Sequence, residues 1–205
     1  MIRPFGEAAL LVQVDTPERA QALAASLRLT TMDGVLEAVP GLDSVLVELD
    51  PVDGPDPTAI VPALEQRLAD LRPGVGTEGR QHTIPVMYDG PDLVDVAAAA
   101  GVTVDEVVEL HAGTELRVLF CGFAPGFAYL GDLPPALHVE RLATPRTRTP
   151  AGSVAIAGAM SGIYPADLPG GWRIIGRTDV TLFDPRADPP ALLLPGDRVR
   201  FERIG

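Results

Sequence analysis

Lysine is absent: all 16 basic residues of this 205-residue chain are arginines. A P-loop lysine, a Schiff-base lysine and a Ser/Lys dyad are thereby excluded, because each needs an amine that a guanidinium does not replace. Cysteine is nearly absent too. With Cys121 alone there is neither an internal disulfide framework nor a thiolate zinc site, which agrees with a reducing compartment. The three histidines, His82, His111 and His138, show no HExxH or other ligand spacing. No apolar run approaches the roughly 20 residues that cross a bilayer. The N-terminal MIRPFGEAAL lacks an apolar core ending in a small-residue cleavage site, so no leader is expected and the cytoplasm is the expected address. A formal charge of −12 opposes binding to phosphate backbones or anionic lipid, so neither nucleic acid nor membrane is an expected partner.

What is present first reads as alternating strand and helix. The aliphatic run Glu7 to Val14 suits a buried strand. Thr16 can cap a following helix with Pro17 at its first position, and Ala20, Leu23, Ala24 and Leu27 fall on one face. Two strands, Val35 to Val39 and Ser44 to Leu49, are split by Pro40-Gly41, and Asp56-Pro57 opens a second helix. Strand, helix, strand, strand, helix is the opening of a ferredoxin-like unit. Arg72 to Gly79 holds three glycines and a proline with little to bury, which places a domain boundary there. Residues 1–80 are then one domain and 81–205 another.

The second domain begins with a strand near His82 and continues with helices across Leu93 to Ala100 and Val104 to His111, the latter with Thr103 and Glu106 as a capping box. After Leu116 to Phe120 the helical period stops. Short strands with Gly/Pro turns follow to the end, the pattern of a β-barrel or sandwich. The expected class is α+β.

Four segments of this second domain concentrate Gly, Pro and aromatics: GFAPGFAYLG from Gly122 to Gly131, Thr144 to Val154, Ser161 to Pro165, and Pro169 to Thr178. Glycine there serves either the corners of a small barrel or the close approach of backbone to a ligand. Arg146, Arg148, Arg173 and Arg177 among the glycines favour the second use, since guanidinium forks beside exposed N–H groups hold carboxylate or phosphate. The G-x-S-x-G elbow is missing around Ser153, and no Gly-Lys-Ser/Thr follows Gly122 to Gly126. His111, on the apolar face of its helix, reads as a satisfied buried histidine, and Cys121, ending an apolar run, as a small buried hydrophobe. Asp132, Asp167 and Asp179 read as turn residues rather than a metal set.

In the stretches GFAPGFAYLGDLP, TPRTRTPAGSVAIAG, SGIYP, PGGWRIIGRT, LFDP and PGDRVRF, which together span most of residues 117 to 201, the chain resembles the family of 5-oxoprolinase B subunits. That family is also known as allophanate hydrolase subunit 1 and includes a sporulation-kinase inhibitor. The N-terminal part resembles it in pattern only; Cys121 stands where an aliphatic residue is commoner and Thr149 where Val is usual.

The resemblance implies a ferredoxin-like α/β domain followed by a cyclophilin-like β-barrel. It implies a partner, the 5-oxoprolinase C subunit (similar to allophanate hydrolase subunit 2), and a third component, with ATP and Mg²⁺ used by the complex and no cofactor bound by this chain alone. The reaction implied is ATP-dependent opening of 5-oxoproline to glutamate, in which phosphorylation of the lactam oxygen activates a ring carbon that water then attacks. This chain would supply one wall of a shared site. Arg146, Ser153, Tyr164 and Arg177 are the expected catalytic polar groups. Gly122, Phe123, Pro125, Gly126, Phe127, Tyr129, Pro169, Gly170, Gly171 and Trp172 are expected to shape the cleft toward substrate or partner. Inhibition of a histidine kinase by protein binding, an allophanate- or urea-type amidohydrolase, and a carboxyltransferase remain the alternatives. Prolyl isomerisation is disfavoured because its catalytic arginine and aromatic set has no match here.

Overall fold

The computed structural model describes residues 1–71 and 79–205 and divides the chain into two compact units, Met1–Gly79 and Arg80–Gly205. The Gly/Pro-rich stretch expected to hold the boundary lies, Gly79 apart, outside the described residues.

The first unit contains β1 (Ile2–Pro4), β2 (Ala9–Gln13), α1 (Pro17–Leu29), β3 (Val35–Pro40), β4 (Ser44–Leu49) and α2 (Val61–Ala69). Its antiparallel sheet runs β1-β2-β4-β3. Thr16 caps α1 by accepting from the Arg19 N–H at 3.3 Å, and Pro17 occupies the first turn, where its missing N–H costs nothing. Ala20, Leu23, Ala24 and Leu27 are buried as the periodicity requires, against Leu10, Val12, Val45 and Val47 of the sheet and Leu64 of α2. Two details differ from expectation. Ile2–Pro4 forms an extra edge strand, too short to show alternation, where Pro4 is tolerated because an edge needs no second set of ladder bonds. The second helix starts as a 3₁₀ turn over Pro57–Ile60 before α2, with the Asp56 carboxylate accepting from the Thr58 N–H at 2.8 Å.

The second unit contains β5 (Gln81–Val86), α3 (Leu93–Ala100), α4 (Val104–Gly113), β6 (Glu115–Cys121), β7 (Ala128–Gly131), β8 (Arg146–Thr149), β9 (Ser153–Ala157), β10 (Met160–Ile163), β11 (Leu168–Gly170), β12 (Arg173–Arg177) and β13 (Arg198–Arg203). Seven strands form one sheet in the order β12-β9-β10-β7-β6-β13-β5, antiparallel except for β13 with β5. β8 and β11 form a separate ribbon. The residues after β5 return to the opposite edge: Met87 and Arg177 exchange both backbone hydrogen bonds at 2.9 Å, and Asp92 N–H donates to the Ile174 carbonyl at 3.0 Å. The sheet is thereby nearly closed into a barrel, which removes most of its free edge. The capping box of α4 is present, with Thr103 Oγ1 accepting from the Glu106 N–H and Glu106 Oε2 from the Thr103 N–H.

Strand β9 is buried along its whole length. Its alternation divides two cores: Val154 and Ile156 join Ile84, Val118, Leu130, Ile163, Ile175 and Phe201 in the main core, whereas Ala155 and Ala157 join Phe127, Tyr164, Trp172 and Ile174 in a smaller aromatic one.

Inside the main core His111 is fully buried and stacked on Phe201 at 4.5 Å. Its Nδ1 is 2.8 Å from Tyr88 Oη and its Nε2 2.9 Å from Ser161 Oγ, and Ser161 Oγ donates onward to the Ala155 carbonyl at 3.3 Å. A neutral imidazole satisfies this chain, with the Tyr88 O–H donating to Nδ1 and Nε2–H donating to Ser161. Burial pushes the pKa of His111 down from 6.5 to about 3 and that of the Tyr88 phenol up, so both stay uncharged.

The native state thus refuses a proton that the unfolded chain accepts below pH 6.5. Stability should fall as pH drops through that value, by about 2 kcal/mol from this residue between pH 7 and pH 5. Urea titrations of wild type and His111→Gln at those pH values test this: the variant should lose about one proton's worth of the slope, and an unchanged slope refutes the neutral buried imidazole.

Candidate functional site

On the aromatic side of β9 a concavity of about 110 Å³ is lined by Phe123, Phe127, Tyr129, Arg141, Tyr164, Pro169, Gly170, Gly171 and Trp172. All but Arg141 come from three of the four segments singled out in the sequence. Local chemistry explains how they converge. Ala124-Pro125-Gly126-Phe127 is a turn closed by Phe127 N–H on the Ala124 carbonyl at 3.0 Å, with Pro125 at the second place and Gly126 at φ +84° at the third. That is type II geometry, which requires glycine at the third place. The turn drops the Phe127 ring onto Ala155 and Ala157, whose small side chains leave room for it. The aromatic edges then stack in sequence, with Phe127 edge-on to Tyr129 (4.9 Å), Tyr164 (5.5 Å) and Trp172 (5.7 Å).

Tyr164 is buried, and its hydroxyl bonds to the Thr149 side chain and the Trp172 backbone. Burial raises the phenol's pKa, which keeps its proton in place. Gly170 passes directly over that hydroxyl, where any Cβ would overlap it. Tyr164 thus forms the floor of the concavity and fixes the ribbon strand above it. Phe123 stands at the rim, 58% exposed, with φ at +72°. A bulky side chain in the left-handed region carries backbone strain, so an outward-facing aromatic is held here at a cost in stability.

The remaining expected polar groups sit elsewhere in this unit. Arg146 pairs with the buried Asp92 at 2.6 Å, and Asp92 also accepts from the Ile174 N–H at 2.7 Å. Its guanidinium therefore ties β8 to the start of α3 and to β12. Ser153 and Arg177 line a second cleft of about 240 Å³ with Asp89, Pro91 and Ala151, and Arg177 pairs with Asp89 at 2.9 Å. Tyr164 and Arg141 belong to the first concavity, Ser153 and Arg177 to the second. Gly122 and Pro125 are exposed on the loop and Gly126 packs near Phe183, so these three shape the turn rather than line the concavity. Arg148 pairs with Asp167, which also accepts from the Ala151 N–H at 2.9 Å, and Arg173 donates to the Glu140 carbonyl at 3.0 Å.

Arg141 was not among the residues the sequence pointed to. It precedes the Thr144 to Val154 segment by three positions, and only that nearness could have drawn attention to it. Its Cζ lies 5.9 Å from the Trp172 ring centroid, within cation–π range. The other residues set aside in the sequence fall into structural roles. Burial, with the Asp197 charge second, pushes the Cys121 thiol up to about 11, which leaves it protonated and inert. His82 pairs with Asp197 at 2.9 Å, and that carboxylate also accepts from the Arg80 and Leu194 N–H groups, pinning the start of β5 to the turn before β13. Among the described residues no group of three or more His, Cys, Asp or Glu side chains is placed to hold a metal ion, and Asp132, Asp167 and Asp179 do not converge.

Relief of the strain at Phe123 is measurable. Phe123→Gly should be more stable than Phe123→Ala by about 0.5 to 1 kcal/mol, because only glycine adopts this φ freely. Chemical denaturation of the two variants decides it, and an Ala variant equal to or better than Gly shows that the rim is not strained.

The family model of the carboxyltransferase domain, subdomain C and D, matches residues 1–193. The chain is 43% identical to the 5-oxoprolinase B subunit of Escherichia coli O157:H7, covering 96% of this chain and 93% of that protein. It is 39% identical to the protein of the same name from Haemophilus influenzae, covering 98% and 96%. The crystal structure of TTHA0988 matches with a TM-score of 0.82 at 36% identity, covering 100% of this chain and 40% of that longer one. Near full-length identity with these relatives, together with the domain match, means that the chain belongs to the family of 5-oxoprolinase B subunits.

Proposed function

We propose that this chain is a non-autonomous part of an ATP-dependent 5-oxoprolinase, which converts 5-oxoproline and water to glutamate with ATP hydrolysis. In this proposal it supplies one wall of a site completed by the C subunit of that enzyme and a third component. The observation that carries it is the near full-length likeness to proteins named as 5-oxoprolinase B subunits. The geometry supports a partial site. The aromatic concavity is shallow and offers one cation, and its only hydroxyl groups are phenols, of which Tyr164's is bonded inward. The second cleft offers Ser153, Arg177 and Asp89, with no histidine at its lining and its one carboxylate engaged by Arg177.

The residues of this chain do not fit an ATP–Mg²⁺ site by themselves: lysine is missing, no phosphate loop opens a helix, and no carboxylate cluster stands among the described residues. ATP and Mg²⁺ are assigned in this proposal to the complex. The finer fold reading also belongs here. The run β2-α1-β3-β4-α2 supports a ferredoxin-like first domain over 1–80, and the seven-stranded, nearly closed sheet supports a cyclophilin-like barrel over 81–205.

Reconstitution tests the proposal: ATP turnover and glutamate should appear only when this chain, the C subunit and the third component are combined with 5-oxoproline. Turnover by the set without this chain, or an inert full set, refutes it.

Two arginine variants separate framework from site. Arg146→Ala leaves Asp92 buried without its cation and should lower stability by about 2 to 3 kcal/mol. Arg177→Ala breaks a half-exposed pair, should cost less than about 1 kcal/mol, and should still reduce turnover about tenfold or more if Arg177 faces substrate or phosphate. Unchanged turnover in Arg177→Ala removes that residue from the site.

A further inference from the structure

The aromatic concavity contains a single charged group, Arg141, in a chain whose formal charge is −12. Among the described residues it has no carboxylate within ion-pair distance and no hydrogen-bond acceptor, whereas Arg146, Arg148 and Arg177 each have a carboxylate and Arg173 a carbonyl. Trp172 and Tyr129 present aromatic rings to the same space, their centroids 5.8 Å apart at 69°. Burial raises the pKa of the Tyr129 phenol, and the Arg141 charge pulls the other way, which places that charge within electrostatic reach of the concavity's rings.

We infer that Arg141 is an anion anchor: it takes the carboxylate of a small ring-bearing acid whose ring lies against Trp172 and Tyr129. A guanidinium with free N–H donors matches a carboxylate in fork geometry, and its approach to an indole fixes its position without neutralising it. Arg148 and Arg177 could not do this without giving up a carboxylate. The walls add no competing negative charge and no second cation, so the ligand is a monoanion with an apolar or amide ring rather than a polyphosphate. Naming 5-oxoproline as that acid rests on the function proposed above; the anchor itself rests on the concavity.

The test compares 5-oxoproline with its primary amide as substrates of the assembled complex, for wild type, Arg141→Gln and Arg141→Lys. Wild type should prefer the acid. In Arg141→Gln the KM for the acid should rise about tenfold or more while that for the amide stays near wild type, and Arg141→Lys should recover part of the difference. A wild-type KM for the acid in Arg141→Gln, or an equal loss for acid and amide, overturns the anchor while leaving the 5-oxoprolinase function standing.

Trp172 is the single tryptophan of the chain, so its emission reports on this wall without any need for turnover. Titration of the full chain with benzoate should quench it saturably, and Arg141→Gln should move the midpoint up about tenfold or more. If that holds while the complex is inert toward 5-oxoproline, the anchor stands and the 5-oxoprolinase reading falls. A midpoint unchanged by Arg141→Gln overturns the anchor.

Discussion

Strand β9 has no solvent face, and the second unit is organised around that constraint. A strand buried on both sides must satisfy two packings with one alternating set of side chains. Val154 and Ile156 fill the barrel, where large branched groups are needed to reach the opposite strands. Ala155 and Ala157 lie under Phe127 and Trp172, where anything larger would push the aromatic rings outward. Ser161, on the neighbouring strand, turns its hydroxyl back to the Ala155 carbonyl and receives His111, so the polar chain of the barrel is fixed to the same strand. The concavity is in this sense the outer surface of a barrel wall whose inner surface is already committed.

The polar groups divide along similar lines. Carboxylates that are buried, Asp92 and Asp197, each collect several donors and hold turns and strand ends together. Burying a carboxylate without such partners would be costly, and the arginine or histidine beside each is therefore committed to structure. Arg146 illustrates the consequence. Its place in a Gly-rich segment suggested contact with a ligand, and the structure engages its guanidinium with Asp92. Arg141, without an ion-pair partner among the described residues and placed over Trp172, is the cation left to the concavity. Sequence shows which residues are arginine; whether the Arg146 guanidinium is free depends on a carboxylate 54 positions away.

Much of the architecture was legible because it rests on local rules. The Thr16 cap with Pro17, the Thr103/Glu106 capping box and the apolar face of α1 each follow from a few neighbouring residues, and each is found where those residues stand. The extra strand β1 was not legible, because three residues beside a proline carry no period. The return of Met87 and Asp92 to β12, which nearly closes the sheet, joins residues about ninety positions apart and leaves no local trace.

Composition and motif alone determined which chemistries are closed to this chain: with no lysine, one cysteine and three scattered histidines, it has no phosphate-loop lysine, thiolate metal site or histidine metal motif. They also marked four segments, three of which build the aromatic wall. Only the tertiary structure decided how those segments are used. It sent Arg146 to a buried carboxylate, grouped Ser153 and Arg177 in one cleft and Tyr164 in another, and left Arg141 on Trp172. The reason is physical: residue type sets what a side chain can bond to, and long-range packing sets which partners come within reach.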